Sequence, residues 1–236
     1  MVISVAESPH VSVRTAEEIE AWYRSADIIP WDIPEPQPVI VALERAGEIT
    51  GSVLDVGCGF GENALFLAER GYQVTACDLA ASVIEQCGQK ARERGLDVDF
   101  RVTDVTLLEE FDQSFDTVVD SALLHCLEPD QQVSYVAAAH RVMKPGGRLH
   151  LLCISDAVPE DMLVPKRIRA EQIRELFDGA GWTTPRIQPA SYSTVFTIET
   201  MRRHLANDNW QPSGAVGLDQ QGHVLTPIWQ VTVGRR

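Results

Sequence analysis

Apolar and polar positions change period several times along the chain. "TAEEIEAWYRSA" opens with Thr15 and, three residues on, Glu18, a capping-box pattern; apolar residues then recur at Ile19, Trp22, Tyr23 and Ala26 on one helical face. "DIIPWDIPEPQPVI" follows, and its four prolines exclude a helix until about Pro38, which suits the first turn of the next one. From Ser52 onward short β-rich runs alternate with amphipathic stretches. The runs are "SVLDV", "YQVTACD", "DVDFRVTD", "FDTVVDS" and "GRLHLLCIS", and helical stretches start near Gly61, Ala81, Pro129 and Arg167. In the last of these, Ile173, Leu176, Phe177 and Ala180 share a face and Gly181 is the stop. Such alternation predicts an α/β fold of parallel strands with crossover helices on both faces.

The final third follows another pattern. "WTTPRIQPASYSTVF" and "HVLTPIWQVTVG" are β-like, whereas residues 197–222 between them lack the period of a crossover helix. An antiparallel pair joined by a long excursion is expected, and a loop of that length in a compact domain usually has a task, here bordering a substrate site. The resulting organisation is a disordered tail at 1–14 and one domain at 15–236, with a helical lid at 15–47 and the excursion before the last strand.

Charge and composition remove several classes of function. A formal net charge of -14 over 236 residues repels phosphates, so neither nucleic acid nor an acidic lipid surface is an expected partner. No apolar run approaches the roughly 20 residues of a membrane span, and the start lacks a secretory pattern; a cytoplasmic protein is expected. Cys58, Cys77, Cys87, Cys126 and Cys153 are odd in number, widely spaced and without a C-x-x-C pair, which favours reduced thiols over a metal site.

Candidate chemistry centres on "VLDVGCGFGEN". A dinucleotide-binding turn carries G-x-G-x-x-G, but Gly57, Gly59 and Gly61 give G-x-G-x-G. Asp55 precedes the first of them at a strand end, where a carboxylate orients the turn or meets an ammonium group. Glu62, in the first helical turn, puts a carboxylate where a pyrophosphate would rest. Asp78, with Leu79 beside it, ends the second strand, a place from which an acid reaches ribose hydroxyls. Asp104 ends the third, with Val105 following, and suits an adenine amino group. The spacing leaves a nicotinamide-dependent oxidoreductase disfavoured but open.

As a set, D-V-G-C-G-F-G, Asp78, T-D-V at Thr103 to Val105, D-S-A-L-L-H at Asp120 to His125 and the K-P-G-G turn resemble class I S-adenosylmethionine-dependent methyltransferases, over roughly Pro38 to Phe196. The resemblance implies a Rossmann-like doubly wound sheet of seven strands, mostly parallel with an antiparallel last strand, and a cofactor over the strand C-termini. It also implies that Gly57, Gly59 and Gly61 lie near the methionine moiety, Asp78 at the ribose, Asp104 and Val105 at the adenine, and Ser121 near the sulfonium. Asp120 is a further candidate, placed to orient the amino group of the cofactor.

"YRSADIIPWDIPEPQP" is similar to a small-molecule group that includes thiopurine and tellurite-type methyltransferases, and within it to the mycobacterial heterocyclic toxin methyltransferases. That similarity implies O-methylation of a planar hydroxyquinolone-type toxin, with Tyr23, Trp31 and Asp32 closing over the cofactor. An aromatic face at Trp31 would attract the sulfonium by roughly 0.5–2 kcal/mol. His125 is the first candidate for a base or orienting group, though capping the next helix is an equal reading. S-methylation of a thiopurine-like thiol and non-catalytic nucleoside binding stay as alternatives.

Overall fold

The computed structural model describes residues 15–179 and 181–236. The expected tail at 1–14, and Ala180, lie outside the described residues.

Four strands pair in parallel from one edge of the sheet inward, β3 (Val98–Val102), β2 (Gln73–Asp78), β1 (Ser52–Val56) and β4 (Phe115–Ser121), and the next strand continues the parallel run. With β5 (Met143–Ile154), β6 (Arg186–Thr197), β7 (Gly217–Leu218) and β8 (His223–Gly234), they make one sheet in the order β3-β2-β1-β4-β5-β8-β6. β8 runs antiparallel to both β5 and β6, so the expected seven strands with a reversed last strand are present. The two-residue β7, inside the excursion, pairs with β8 as an addition.

Successive residues of the central strands face opposite layers, as the period of two requires. Leu54, Val118 and Leu151 pack with α5 (Pro129–Val142) and α6 (Ala170–Leu176). Val53, Val119 and Leu152 pack with α2 (Pro38–Arg45) and α3 (Glu62–Glu69). Each such side chain fully buried contributes roughly 1.5–3 kcal/mol, and both layers are therefore well held. α4 (Ala81–Arg94) packs beside α3 against β2 and β3.

One local expectation needs correction. The K-P-G-G segment is part of β5 rather than a turn before it: pairing jumps from Phe115↔Met143 to Thr117↔Arg148, so the extra residues form a bulge. On α5 the buried residues are Tyr135, Val136, Ala138, Ala139 and Val142, while Val133 and Ala137 are exposed. His140 still packs, edge-on, against Trp182.

The N-terminal segment is fastened at named points. α1 (Ala16–Ser25) starts with the reciprocal Thr15–Glu18 capping box, and Glu20 accepts the Ser82 N–H at 3.2 Å, capping α4 from outside. Pro30 O accepts the Val195 N–H at 3.0 Å, and the Gln37 side chain pairs like a strand residue with Ser193, giving and taking bonds of 3.0 Å. Asn63 on α3 accepts the Gln37 N–H at 2.9 Å. β6 and α3 thereby hold the proline-rich segment over the strand ends. Gln37→Ala leaves the Ser193 N–H and C=O without these partners, and urea denaturation should show a loss of about 1–3 kcal/mol. An unchanged midpoint would remove Gln37 as the fastening.

Candidate functional site

Four neighbouring parallel strands, β3, β2, β1 and β4, each carry an aspartate at or just past the C-terminal end: Asp104, Asp78, Asp55 and Asp120. Asp55 and Asp120 are wholly buried, and Asp78 is nearly so. Neither Asp55 oxygen makes a well-formed hydrogen bond, though the Ala64 N–H acts on the group; Asp120 accepts the Leu123 N–H at 2.8 Å on Oδ1 and has the buried Tyr135 hydroxyl near it. Burial, then the neighbouring Asp120 and Asp78 charges, push the Asp55 carboxyl up to about 8. Burial likewise pushes Asp120 up to about 7 against the pull of the Leu123 N–H. Buried carboxylates short of partners are costly, so the arrangement calls for a cation or a proton.

Asp78 is placed differently. Its Oδ2 accepts the Gly59 N–H and its Oδ1 the Ala80 N–H, both at 3.0 Å, so one carboxylate fixes the glycine turn and the start of α4. Burial still raises its pKa, opposed by those N–H groups. Leu79, beside it, is half-buried. Gly59 and Gly61 hold φ +51 and +80; a Cβ on Gly61 would sit 2.9 Å from Cys87 Sγ, and one on Gly59 3.3 Å from the Trp31 indole nitrogen. Gly57, at φ +61, turns the chain out of β1.

Trp31 thus lies directly over the loop. It stacks on Trp22 at 5.2 Å, and Tyr23 meets it edge-on at 6.4 Å and Phe60 at 5.6 Å. Asp32 is exposed at the rim of this aromatic cover; partial burial raises its carboxyl, although Lys90 opposes the rise. Glu62 does not face the loop: it binds Lys90 and Arg94, each at 2.8 Å, and staples α3 to α4. The reading of Glu62 as a guard against phosphate therefore has no geometric support.

On the β3 side Asp104 is exposed, its Oδ1 taking the Thr106 N–H at 2.9 Å, and Val105 is buried in the core. On the β4 side Ser121 Oγ lies 3.3 Å from the Tyr192 hydroxyl. His125 is buried in a 3₁₀ turn, Leu124–Cys126, where its Nδ1 accepts the Ile154 N–H at 3.4 Å. Burial, then the nearby Lys166, push the imidazole down to about 3. Such a ring is neutral near pH 7 and a poor proton acceptor. Gln37 and Tyr192 were not singled out by sequence. The former stands in a quoted P-Q-P signature, and the latter shows only as an alternate position of a strand.

A methyltransferase-domain family model matches residues 53–147, the stretch from β1 into β5. The 2-heptyl-1-hydroxyquinolin-4(1H)-one methyltransferase of Mycobacteroides abscessus is 34% identical over 188 residues, covering 79% of this chain and 78% of its own. The chain belongs to the class I S-adenosylmethionine-dependent methyltransferases. A solved structure described as "Conversion of a Disulfide Bond into a Thioacetal Group during Echinomycin Biosynthesis" is 33% identical with a TM-score of 0.76, covering 93% of this chain and 92% of that one. The Burkholderia thailandensis 1,6-didemethyltoxoflavin-N1-methyltransferase, solved with S-adenosylhomocysteine, has a TM-score of 0.57 at 21% identity, over 84% of this chain and 76% of that one, and so shares the fold.

The methyltransferase uses S-adenosylmethionine, and the nicotinamide reading is set aside. The donor set fits such a group: buried carboxylates short of partners suit an ammonium, a loop of positive-φ glycines admits close approach, and Asp78 adds a carboxylate one strand over. Among the described residues no helix is long and apolar enough to cross a membrane, and no His, Cys, Asp and Glu group could hold a metal ion.

Asp55 and Asp120 have folded pKa values above the unfolded value near 4, so the unfolded state ionises first as pH rises. Their contribution to the ligand-free protein is therefore lost between about pH 4 and the folded values of about 7 and 8. The buried neutral His125 opposes this trend below about pH 6.5, so thermal melts of that form should show Tm falling from about pH 6.5 to pH 8, and Asp55→Asn should flatten the fall. A wild-type Tm that rises from about pH 6.5 to pH 8 would contradict the buried, protonated acids.

Proposed function

We propose that the methyltransferase O-methylates a small planar heterocycle bearing an acidic hydroxyl, with a hydroxyquinolone-type compound as acceptor. The observation carrying this reading is the 34% identity to a hydroxyquinolone methyltransferase over 79% of the chain. The absence of a competent base at His125 agrees with it, since an N-hydroxy heterocycle ionises near neutral pH and an aliphatic alcohol does not.

Bound S-adenosylmethionine supplies an electrophilic methyl on a sulfonium. In the proposed arrangement Asp55 and Asp120 take the ammonium, Gly57, Gly59 and Gly61 pass close to the methionine chain, and Asp78 with Leu79 holds the ribose. Asp104 and Val105 meet the adenine, and Ser121 lines the wall by the sulfonium. Trp31 and Tyr23 cover the centre and exclude water, with Asp32 closing the rim. The acceptor oxygen gives its electron pair to the methyl carbon as the carbon–sulfur pair returns to sulfur. Alignment and exclusion of water are then the main tasks of the protein.

The excursion, whose Met201, Trp210 and Val216 form a small apolar cluster with Val158 and Met162, borders the acceptor side in this reading. His125 acts by position, joining the turn after β4 to the end of β5. A cytoplasmic setting, where free thiols stay reduced, and an acceptor that is neither nucleic acid nor lipid surface complete the proposal.

A thiol acceptor is the second reading, favoured by the 33% identical structure from sulfur-centred echinomycin chemistry. Mass spectrometry of products from labelled cofactor, across hydroxy- and thiol-heterocycles, separates the two. Turnover of a 1-hydroxyquinolin-4-one well above that of a thiopurine is expected, and the reverse order would favour the thiol. As a control, Asp78→Ala should abolish S-adenosylhomocysteine binding by calorimetry; near-normal affinity would overturn the cofactor placement.

A further inference from the structure

None of the assignments above uses the hydroxyl of Tyr192. Its ring is buried on β6, packed with Val119, Leu152 and Ile228, and the partly buried Trp31 and Ala122 join the same cluster. Although β5 and β8 lie between β6 and β4 in the sheet, the hydroxyl reaches the end of β4. It stands 3.3 Å from Ser121 Oγ and 3.5 Å from the Ser121 carbonyl oxygen. Both contacts are long beside the usual 2.7–2.8 Å or so of an O–H···O bond, so the proton is held loosely for a buried hydroxyl.

The neighbouring backbone is strained. Ala122 adopts φ +81, a conformation costing a residue with a side chain roughly 1–3 kcal/mol, and its N–H is held by the Leu152 carbonyl at 3.0 Å. The ionisable side chains that act on Tyr192 are Asp55 on β1, Asp120 on β4 and Cys126 in the 3₁₀ turn. Trp31 of the aromatic cover packs against the cluster that holds Tyr192 and meets Tyr23 edge-on, which brings the cover to the same side of the sheet as the Tyr192 ring. Burial, reinforced by the two aspartates, pushes the phenol above its ordinary value, so the group stays protonated and donates.

We propose that Tyr192 is a positioning residue whose hydroxyl, beside Ser121, donates a hydrogen bond to the ionised oxygen of the methyl acceptor. This inference rests on the oxygen-acceptor reading above and names the group that selects such an acceptor. No proton moves through Tyr192: the acceptor arrives as its anion, its electron pair forms the oxygen–carbon bond, and the carbon–sulfur pair leaves with sulfur. The hydrogen bond weakens as the oxygen loses charge. It therefore favours binding of the anion over turnover and discriminates against acceptors that remain neutral.

Tyr192→Phe keeps the ring and removes the donor. In the complex with S-adenosylhomocysteine, ultraviolet titration of bound 1-hydroxyquinolin-4-one should give a lower pKa in the wild type than in Tyr192→Phe. The variant should raise the acceptor KM roughly tenfold or more, as loss of a bond to a charged group does, with a much smaller change in kcat. Its affinity for S-adenosylhomocysteine should match the wild type. An unshifted pKa with unchanged KM would overturn the proposal, and so would a parallel loss of S-adenosylhomocysteine affinity, which marks a merely structural tyrosine. If the wild type neither binds nor methylates the hydroxyquinolone, the oxygen-acceptor reading falls and takes this proposal with it. Wild-type turnover with an indifferent variant removes the proposal alone.

Discussion

Asp55 and Asp120 are sealed from solvent near the C-terminal ends of the neighbouring strands β1 and β4, one residue out of register and so on opposite faces of the sheet, with Asp78 one strand from Asp55. Parallel register sets this cluster, because aligned strands bring their C-terminal residues to one edge of the sheet. The apolar layers on both faces then exclude the water that would have solvated the charges. Like charges held close in such surroundings cannot all ionise unless a cation joins them. The fold thus carries an electrostatic deficit that a proton answers in the free protein and, in the function proposed above, the cofactor's ammonium answers on binding. The rest of the site is arranged around that deficit.

The glycine turn and its cover follow from the same edge. Asp78 ties the turn to β2 through the Gly59 N–H, while Trp31 approaches so closely that a side chain on Gly59 would crowd it. The proline-rich segment has few backbone donors of its own, so its position is set by other elements: Gln37 and Pro30 borrow the edge of β6, and Asn63 holds it to α3. An edge strand that would otherwise present open hydrogen-bonding groups becomes the anchor of the cover.

Much of this was legible in the chain. Period-two runs ending in aspartate, separated by helical stretches, marked the strand ends, and the alternate glycines marked the turn between β1 and α3. What escaped depends on contacts distant in sequence. Gln37 and Ser193 are 156 residues apart, as Tyr192 and Ser121 are 71 apart, and no local period records either pairing. Glu62 looked like a guard of the helix start, but Lys90 and Arg94, a full strand and helix later, turn it aside. His125 looked like a base because of its place after β4; only its burial beside Ile154 reveals a ring without a usable proton affinity.

The central claim is that the buried acids at the ends of β1 and β4 hold protons that the cofactor's ammonium displaces. Its most direct test is the proton balance of binding: calorimetric titration of S-adenosylhomocysteine near pH 7 in buffers of different ionisation enthalpy. With Asp55 at about 8 and Asp120 at about 7, the free site holds protons there, and entry of the ammonium drives them out. The account predicts release of about one proton per molecule bound, seen as a binding enthalpy that changes with the buffer. Equal enthalpies in all buffers, or proton uptake, would contradict it.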